Sequence, residues 1–221
     1  VGPLVDERLS KEIDECTHFW LGKAPRRIDR VDAQRFNGQI GNGFLDPGLS
    51  RLGRLPPGTT LGSLGYMLEQ HPDRLEEVLV VDNADSAFSD LNLAFMTDGA
   101  YVLLPPGATI KAPVQLFFIA SEADLAIQPR NLVLAAAGSS ATIIEHHMAA
   151  RENSYFTNAV TDIVLGPGAS IEHHKLQQES PTAFHIAAVN VSQEAKSRFV
   201  SSSFALGARL ARVGINVRLQ A

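Results

Sequence analysis

The chain has 221 residues, 45% of them hydrophobic and 19% charged, with 17 Gly and 12 Pro. This is a globular composition, long enough to bury roughly 70% of its unfolded surface in one domain plus an appendage. Nineteen Lys plus Arg against 24 Asp plus Glu leave a net charge of −5, and the basic residues are scattered apart from Arg26, Arg27 and Arg30. That excludes a phosphate-neutralising stripe, and with it nucleic acid as a principal partner. The longest apolar run, Val114 to Ala120 with Gln115 inside it, is far short of the ~18 residues of a membrane helix. The acidic stretch Val1 to Glu15 is no secretory signal, so no membrane partner and a cytoplasmic location are expected. The single cysteine, Cys16, precludes an intramolecular disulfide and suits a reducing compartment. Alone it could not hold an iron–sulfur cluster, which usually takes about four thiolates.

In chain order, Ser10 is placed to cap a short helix through Leu21, with Ile13, Thr17 and Trp20 near one face. Cys16 reads as a small packing residue within it. Arg26 to Pro57, rich in Gly and Pro and without a sustained period, predicts an extended loop. Thr60 caps a second predicted helix carrying Leu61, Leu64 and Leu68, which stops near Pro72, and helix returns from about Asp73 to Val80. From Ala94 the texture changes to short apolar runs, among them Val102 to Leu104, Val114 to Ile119, Leu132 to Ala135, Ala141 to Ile144 and Ile163 to Leu165. Gly, Pro and Asn punctuate them in a strand-and-turn rhythm. The division is an irregular, partly helical region over residues 1–93 and a β core over 94–221.

That rhythm repeats. Pro106-Gly107-Ala108-Thr109-Ile110 is echoed by Gly138-Ser139-Ser140-Ala141-Thr142-Ile143, by Pro167-Gly168-Ala169-Ser170-Ile171, and more weakly by Gln193 to Ser197. The alanines at 108, 141, 169 and 195 stand 33, 28 and 26 residues apart, a spacing that predicts a solenoid of stacked coils. An ordinary β-sandwich would share the turn chemistry. Ile144-Glu145-His146-His147 recurring as Ile171-Glu172-His173-His174, 27 positions later, favours the solenoid.

The chain carries no phosphate loop, nucleophile elbow, H-E-x-x-H or C-x-x-C, which leaves the histidines as its most distinctive chemistry. Alternation puts Ile144, His146 and Met148 on one strand face and Glu145 and His147 on the other. With the two copies stacked in register, His146 lies beside His173, facing inward, and His147 beside His174, in a wetter outer row with Glu145 and Glu172. At the ~4.8 Å spacing of neighbouring strands, two imidazoles and a Glu can reach one divalent metal. His146, His147, His173, His174, Glu145 and Glu172 are therefore the candidate metal ligands, the alternative being hydrogen-bonded side-chain ladders without metal. Lys175 is either a strand-end side chain or a polar group inside the solenoid, and His185 a hydrogen-bonded core or strand-end residue.

An ordered series of short motifs resembles the SufB/SufD family of iron–sulfur cluster assembly proteins. It comprises Phe88-Ser89-Asp90-Leu91-Asn92-Leu93-Ala94, Asp98-Gly99, Leu104-Pro105-Pro106-Gly107 and Ala112-Pro113-Val114, then Ala141 to His146, Phe156-Thr157-Asn158, His173 to Gln177 and Ser201 to Gly207. The match runs over roughly residues 60–221, and it is closer to SufD than to SufB because SufB-type cysteines are missing from the solenoid. The resemblance implies a right-handed parallel β-helix with helical terminal parts. It also implies a scaffold rather than an enzyme, working with SufB-like and SufC-like subunits, SufC being an ABC-type ATPase. Iron or an iron–sulfur cluster would be bound only within the whole complex. Family members are about twice this length, so the chain is expected to be a portion whose family-specific functional cysteine and histidine lie beyond Ala221. An uncapped last coil, Arg212 to Ala221, predicts a homodimer through its open edge. A cupin-like metalloenzyme built on the histidine rows and a carbohydrate-active β-helix are the competing readings.

Overall fold

The glycine turns set the stacking of the strands. In the computed structural model, which describes residues 36–41, 43–51, 55–75, 79 and 87–220, Gly107, Gly138 and Gly168 all adopt left-handed φ of +72°, +68° and +68°, and Lys196 takes the same conformation at 61°. Each sits in a tight turn closed by a backbone bond from the following residue, such as Ala169 N to Gly166 O at 3.0 Å. Successive turns bond to each other, Gly107 N to Ala137 O and Gly138 N to Pro167 O at 2.9 Å. These turn positions, 31, 30 and 28 residues apart, are the true repeat. The alanine marks are displaced from it because Ser139, not Ala141, stands with Ala108 and Ala169.

Between the turns lie strands rich in β-branched and apolar residues, which suit a pleated, buried surface. One sheet has the order β12-β10-β8-β5-β1-β2 and the other β13-β11-β9-β7-β4-β3. The first holds β1 (Phe36–Gly41), β2 (Phe44–Arg51), β5 (Val114–Ala120), β8 (Ser140–Ala149), β10 (Ser170–Gln178) and β12 (Arg198–Ala205). The second holds β3 (Thr60–Ser63), β4 (Ala100–Leu104), β7 (Arg130–Ala135), β9 (Phe156–Leu165), β11 (Phe184–Gln193) and β13 (Leu210–Leu219), with β6 (Ala126–Ile127) beside β9. Each coil crosses from the first sheet to the second, β5 to β7, β8 to β9, β10 to β11 and β12 to β13, so four coils of parallel strands make a β-solenoid. Antiparallel pairs β1–β2 and β3–β4 finish the other end. The segment read from sequence as a loop between Arg26 and Pro57 thus supplies two strands. The helix expected over Ser10 to Leu21 lies outside the described residues.

The core is apolar next to the glycine turns. Val114, Leu116, Ile143, Ile163, Leu165, Ile171, Val189 and Val191 are buried together there, each contributing about 1.5–3 kcal/mol from burial. Among the described residues two α-helices lie outside it, α1 (Leu64–Gln70) and α2 (Ala87–Phe95). The cap of α1 is Ser63 rather than Thr60, which belongs to β3: the Ser63 hydroxyl accepts from Tyr66 N at 2.9 Å and donates to Asp98 Oδ1 at 2.7 Å. Asp98 also accepts from Gly65 N (2.9 Å) and Leu45 N (2.8 Å), tying β2, α1 and the entry to β4 together. The clamp on α2 is Asn92, whose amide donates to Pro129 O and Asn158 O at 3.0 and 2.9 Å. Arg130, buried beneath it, pairs with Asp162 at 2.8 Å. The Phe88-to-Ala94 and Asp98-Gly99 motifs are therefore holding devices for the flank. Among the described residues no helix is long and apolar enough to cross a membrane.

Candidate functional site

Away from the glycine turns, the inward positions of the same strands turn polar. Glu145 and His147 on β8, Thr157 and Thr161 on β9, His173, Lys175 and Gln177 on β10, and His185 on β11 are all buried. Two carboxylates organise them. Glu145 Oε1 accepts from Thr161 Oγ1 at 2.5 Å and faces His173 Nε2 at 3.0 Å, with Asn131 Nδ2 at 3.4 Å. Its Oε2 accepts from Lys175 Nζ at 3.1 Å, and the same ammonium donates to His147 Nε2 at 2.8 Å. With Nε2 accepting, the ring proton of His147 is on Nδ1, and Lys175 separates two acceptors, Nε2 and Oε2, that lie 3.3 Å apart. Glu145 thereby links three successive coils.

The second carboxylate, Glu179, accepts from Thr157 Oγ1 (2.6 Å) and Gln177 Nε2 (3.1 Å). His185 Nδ1 lies 2.6 Å from its Oε2, an ion-pair distance without the alignment of a hydrogen bond. The His147 ring stacks on Phe118, centroids 4.3 Å apart and 6° from parallel, and meets His185 edge-on at 4.9 Å, joining the two groups. A narrow cavity walled by Gly43, Phe118, Ile127 and Pro129 reaches His147, Thr157 and Glu179.

Electrostatics follow from this geometry. Burial opposes ionisation of Glu145, but the Lys175 charge and then His173 outweigh it and hold the carboxyl well below its ordinary range. Burial, then the Lys175 charge, pushes His147 down to about 3, so its ring is neutral and a weak base at neutral pH. Burial would raise Glu179, yet the contacts of His185 and Thr157 bring it to about 2. Burial also lowers His185, against the pull of Glu179, and it raises the Tyr155 phenol, with Glu179 adding to the effect.

The expected histidine register does not hold. β8 and β10 pair with an offset of 30, placing Lys175 opposite Glu145, Leu176 opposite His146 and Gln177 opposite His147. An offset of 27 is odd and would turn Ile171 outward while Ala141 and Ile143 face the core, whereas the glycine turns 30 residues apart seat Ile171 against Ala141. His146 and His173 consequently lie on different faces. The inner set is Glu145, His147 and His173, while His146, His174 and Glu172 occupy the opposite face of the sheet. There His146 Nε2 is 2.8 Å from Gln178 Oε1, and exposed Glu172 pairs with Arg198 at 3.2 Å. The six proposed ligands are thus two separate groups, and the cupin-like alternative loses the stacked rows on which it rested. Lys175 is the polar group inside the solenoid, and His185 is an interior residue beside Glu179.

The sequence does not single out Asn131, Tyr155, Thr161 or Glu179, and Thr157 and Gln177 stand out in it only within the family motifs. A usable signal was present: with Ile171 facing inward, the same parity runs through His173, Lys175, Gln177 and Glu179, four polar residues in succession.

Comparison with known proteins agrees with this architecture. Residues 34–116 match the SufBD protein N-terminal region, and residues 117–221 match the SufBD core domain of SUF-system FeS cluster assembly. An iron-sulfur cluster assembly SufBD family protein of Synechocystis sp. (slr0076) is 32% identical over 190 residues, 81% of this chain and 42% of that protein. Protein ABCI7, chloroplastic, of Arabidopsis thaliana is 26% identical over 200 residues, 86% of this chain and 42% of that protein. A second Synechocystis SufBD family protein (slr0074) is 32% identical over 128 residues, 54% of this chain and 26% of that one. The chain thus spans less than half the length of these relatives. Two family regions in their proper order over residues 34–221, on a four-coil solenoid, mean that the chain belongs to the SufB/SufD family of iron–sulfur cluster assembly proteins.

Proposed function

We propose that the chain is the SufD-like scaffold portion of a cluster-assembly complex that includes a SufB-like subunit and a SufC-like ATPase, and that it turns over no substrate itself. The observation that carries the SufD-like assignment is the lack of thiols: the one cysteine is Cys16, so residues 94–221 contain none. Thiolates are the usual ligands of iron–sulfur clusters, and a solenoid without them supports a neighbour that has them. The absence of turnover is supported at His147, whose imidazole at about 3 is far from the near-neutral pKa that suits a general base. Iron or a cluster is then handled in the complex and not by this solenoid alone, in the cytoplasm or an equivalent reducing compartment. Full-length protein should co-purify with a SufC-like ATPase at micromolar concentration, and failure to do so overturns the assignment.

A further inference from the structure

We propose that the Lys175 ammonium occupies a divalent-metal position, and that the interior around Glu145 and His147 becomes a metal site when this ammonium is removed. The donor set is a carboxylate oxygen and a neutral imidazole nitrogen converging on one atom, Glu145 Oε2 at 3.1 Å and His147 Nε2 at 2.8 Å from Nζ. Carboxylate and imidazole are the ligand types that Zn(II), Co(II) and Fe(II) accept. The surroundings have the form of a metal centre's supporting contacts. His173 and Thr161 hold the other carboxylate oxygen at 3.0 and 2.5 Å, and the His147 ring is fixed against Phe118 at 4.3 Å. Such contacts orient ligands and sustain their basicity. The narrow cavity adjoins His147 only as a water-sized space, so the metal position itself is the volume that the lysine side chain vacates.

Lys175 closes this position. Its charge is the cation that the buried Glu145 carboxylate requires, and a metal arriving beside it would meet like charge and find both lone pairs already taken. No three His, Cys, Asp or Glu side chains among the described residues stand ready as a metal group, so the position exists only where the ammonium now sits. Deleting the lysine side chain leaves Glu145 without its counter-ion and Nε2 without its donor. The two ligands then need to approach a metal only from about 3 Å to the ~2.0–2.2 Å of a coordination bond.

The test is a titration of the full chain with Co(II) as the probe, followed by its visible d–d absorption. Lys175→Ala should take up one equivalent at least tenfold more tightly than the unsubstituted chain, and Lys175→Ala/Glu145→Gln should lose that gain. Ethylammonium, which restores the deleted ammonium, should compete with Co(II) and raise the melting temperature of Lys175→Ala. Should Lys175→Ala be unfolded without additives, Co(II) or ethylammonium should restore its circular dichroism. Equal Co(II) binding by the unsubstituted chain, no gain in Lys175→Ala, a gain that survives Glu145→Gln, or an unfolded variant that neither additive rescues each overturns the proposal.

Discussion

Acidification should destabilise this solenoid well above the pH at which carboxylates titrate, with His147 as the cause. Its imidazole is pushed down to about 3 by burial and by Lys175, whereas in the unfolded chain it titrates near 6.5. Between those values the unfolded chain binds a proton that the folded chain refuses, so stability falls as pH falls through this window. The linkage relation gives a loss of about 0.2 kcal/mol at pH 7 and about 2 kcal/mol at pH 5 from this residue alone. His146, His174 and His185 are lowered in the same direction and add to it. Glu145 and Glu179, held below their ordinary 4.5, contribute a further loss only below about pH 4.5. Urea unfolding followed by circular dichroism should show at least about 2 kcal/mol less stability at pH 5 than at pH 7, and His147→Gln should reduce that difference by about the same amount. A folding free energy unchanged over this interval, or one that rises on acidification, would show that His147 does not titrate differently in the folded and unfolded chains.

Other substitutions test the packing and the turns. Lys175→Met, measured by urea unfolding at pH 7, should cost about 3–5 kcal/mol by leaving Glu145 unpaired, and Lys175→Met/Glu145→Gln should recover a large part of that; equal losses in both would dissociate the pair. Gly138→Ala and Gly168→Ala should each cost about 1–2 kcal/mol through backbone strain alone, because an added Cβ meets nothing within 4 Å at either position. Lys196→Gly, in the equivalent turn, should gain up to about 1 kcal/mol, read as a higher melting temperature. Gly99→Ala should cost more than about 4 kcal/mol or prevent folding, since its Cβ would stand 1.7 Å from Arg130 O; a mildly destabilised, well-ordered variant would contradict this.

The repeated turns were legible because their chemistry is local: Gly107, Gly138 and Gly168 announce left-handed backbone wherever they occur. Matching letters misled where structure matches parity. Ile-Glu-His-His at 144 and 171 looks like one unit stacked on its copy, yet Ile144 faces away from the core and Ile171 into it. Counting from glycine to glycine gives 30, an even number that keeps inward residues inward, and it would have paired Lys175 with Glu145 directly. The helix Ala87–Phe95 was legible only as a motif, since its key residue Asn92 acts on carbonyls 37 and 66 positions away. Glu179 was illegible for a similar reason: its neighbours Thr157 and His185 come from β9 and β11.

The division of the interior into an apolar half and a polar half bears on why the cluster exists at all. The apolar half, from Val114 through Val191, is sufficient to hold coils together, and a buried ion pair replaced by well-packed apolar residues is often neutral or stabilising. Net stability therefore does not explain Glu145, Lys175 and their histidines. What an apolar filling cannot do is distinguish one coil stacking from another, because Val and Ile on every strand present similar surfaces to their neighbours. Glu145 can be satisfied only when Asn131, Thr161, His173 and Lys175 arrive from three other strands at once. A slip of even two residues between β8 and β10 would bury the carboxylate without its ammonium. The polar half thus penalises wrong registers that the apolar half tolerates. On this argument a chain in which Glu145, His147, His173 and Lys175 are all replaced by apolar residues of similar volume should keep its melting temperature but lose uniqueness, broadening its amide NMR signals along β8 and β10. Sharp, singly assigned signals in such a chain would show that the glycine turns alone set the register.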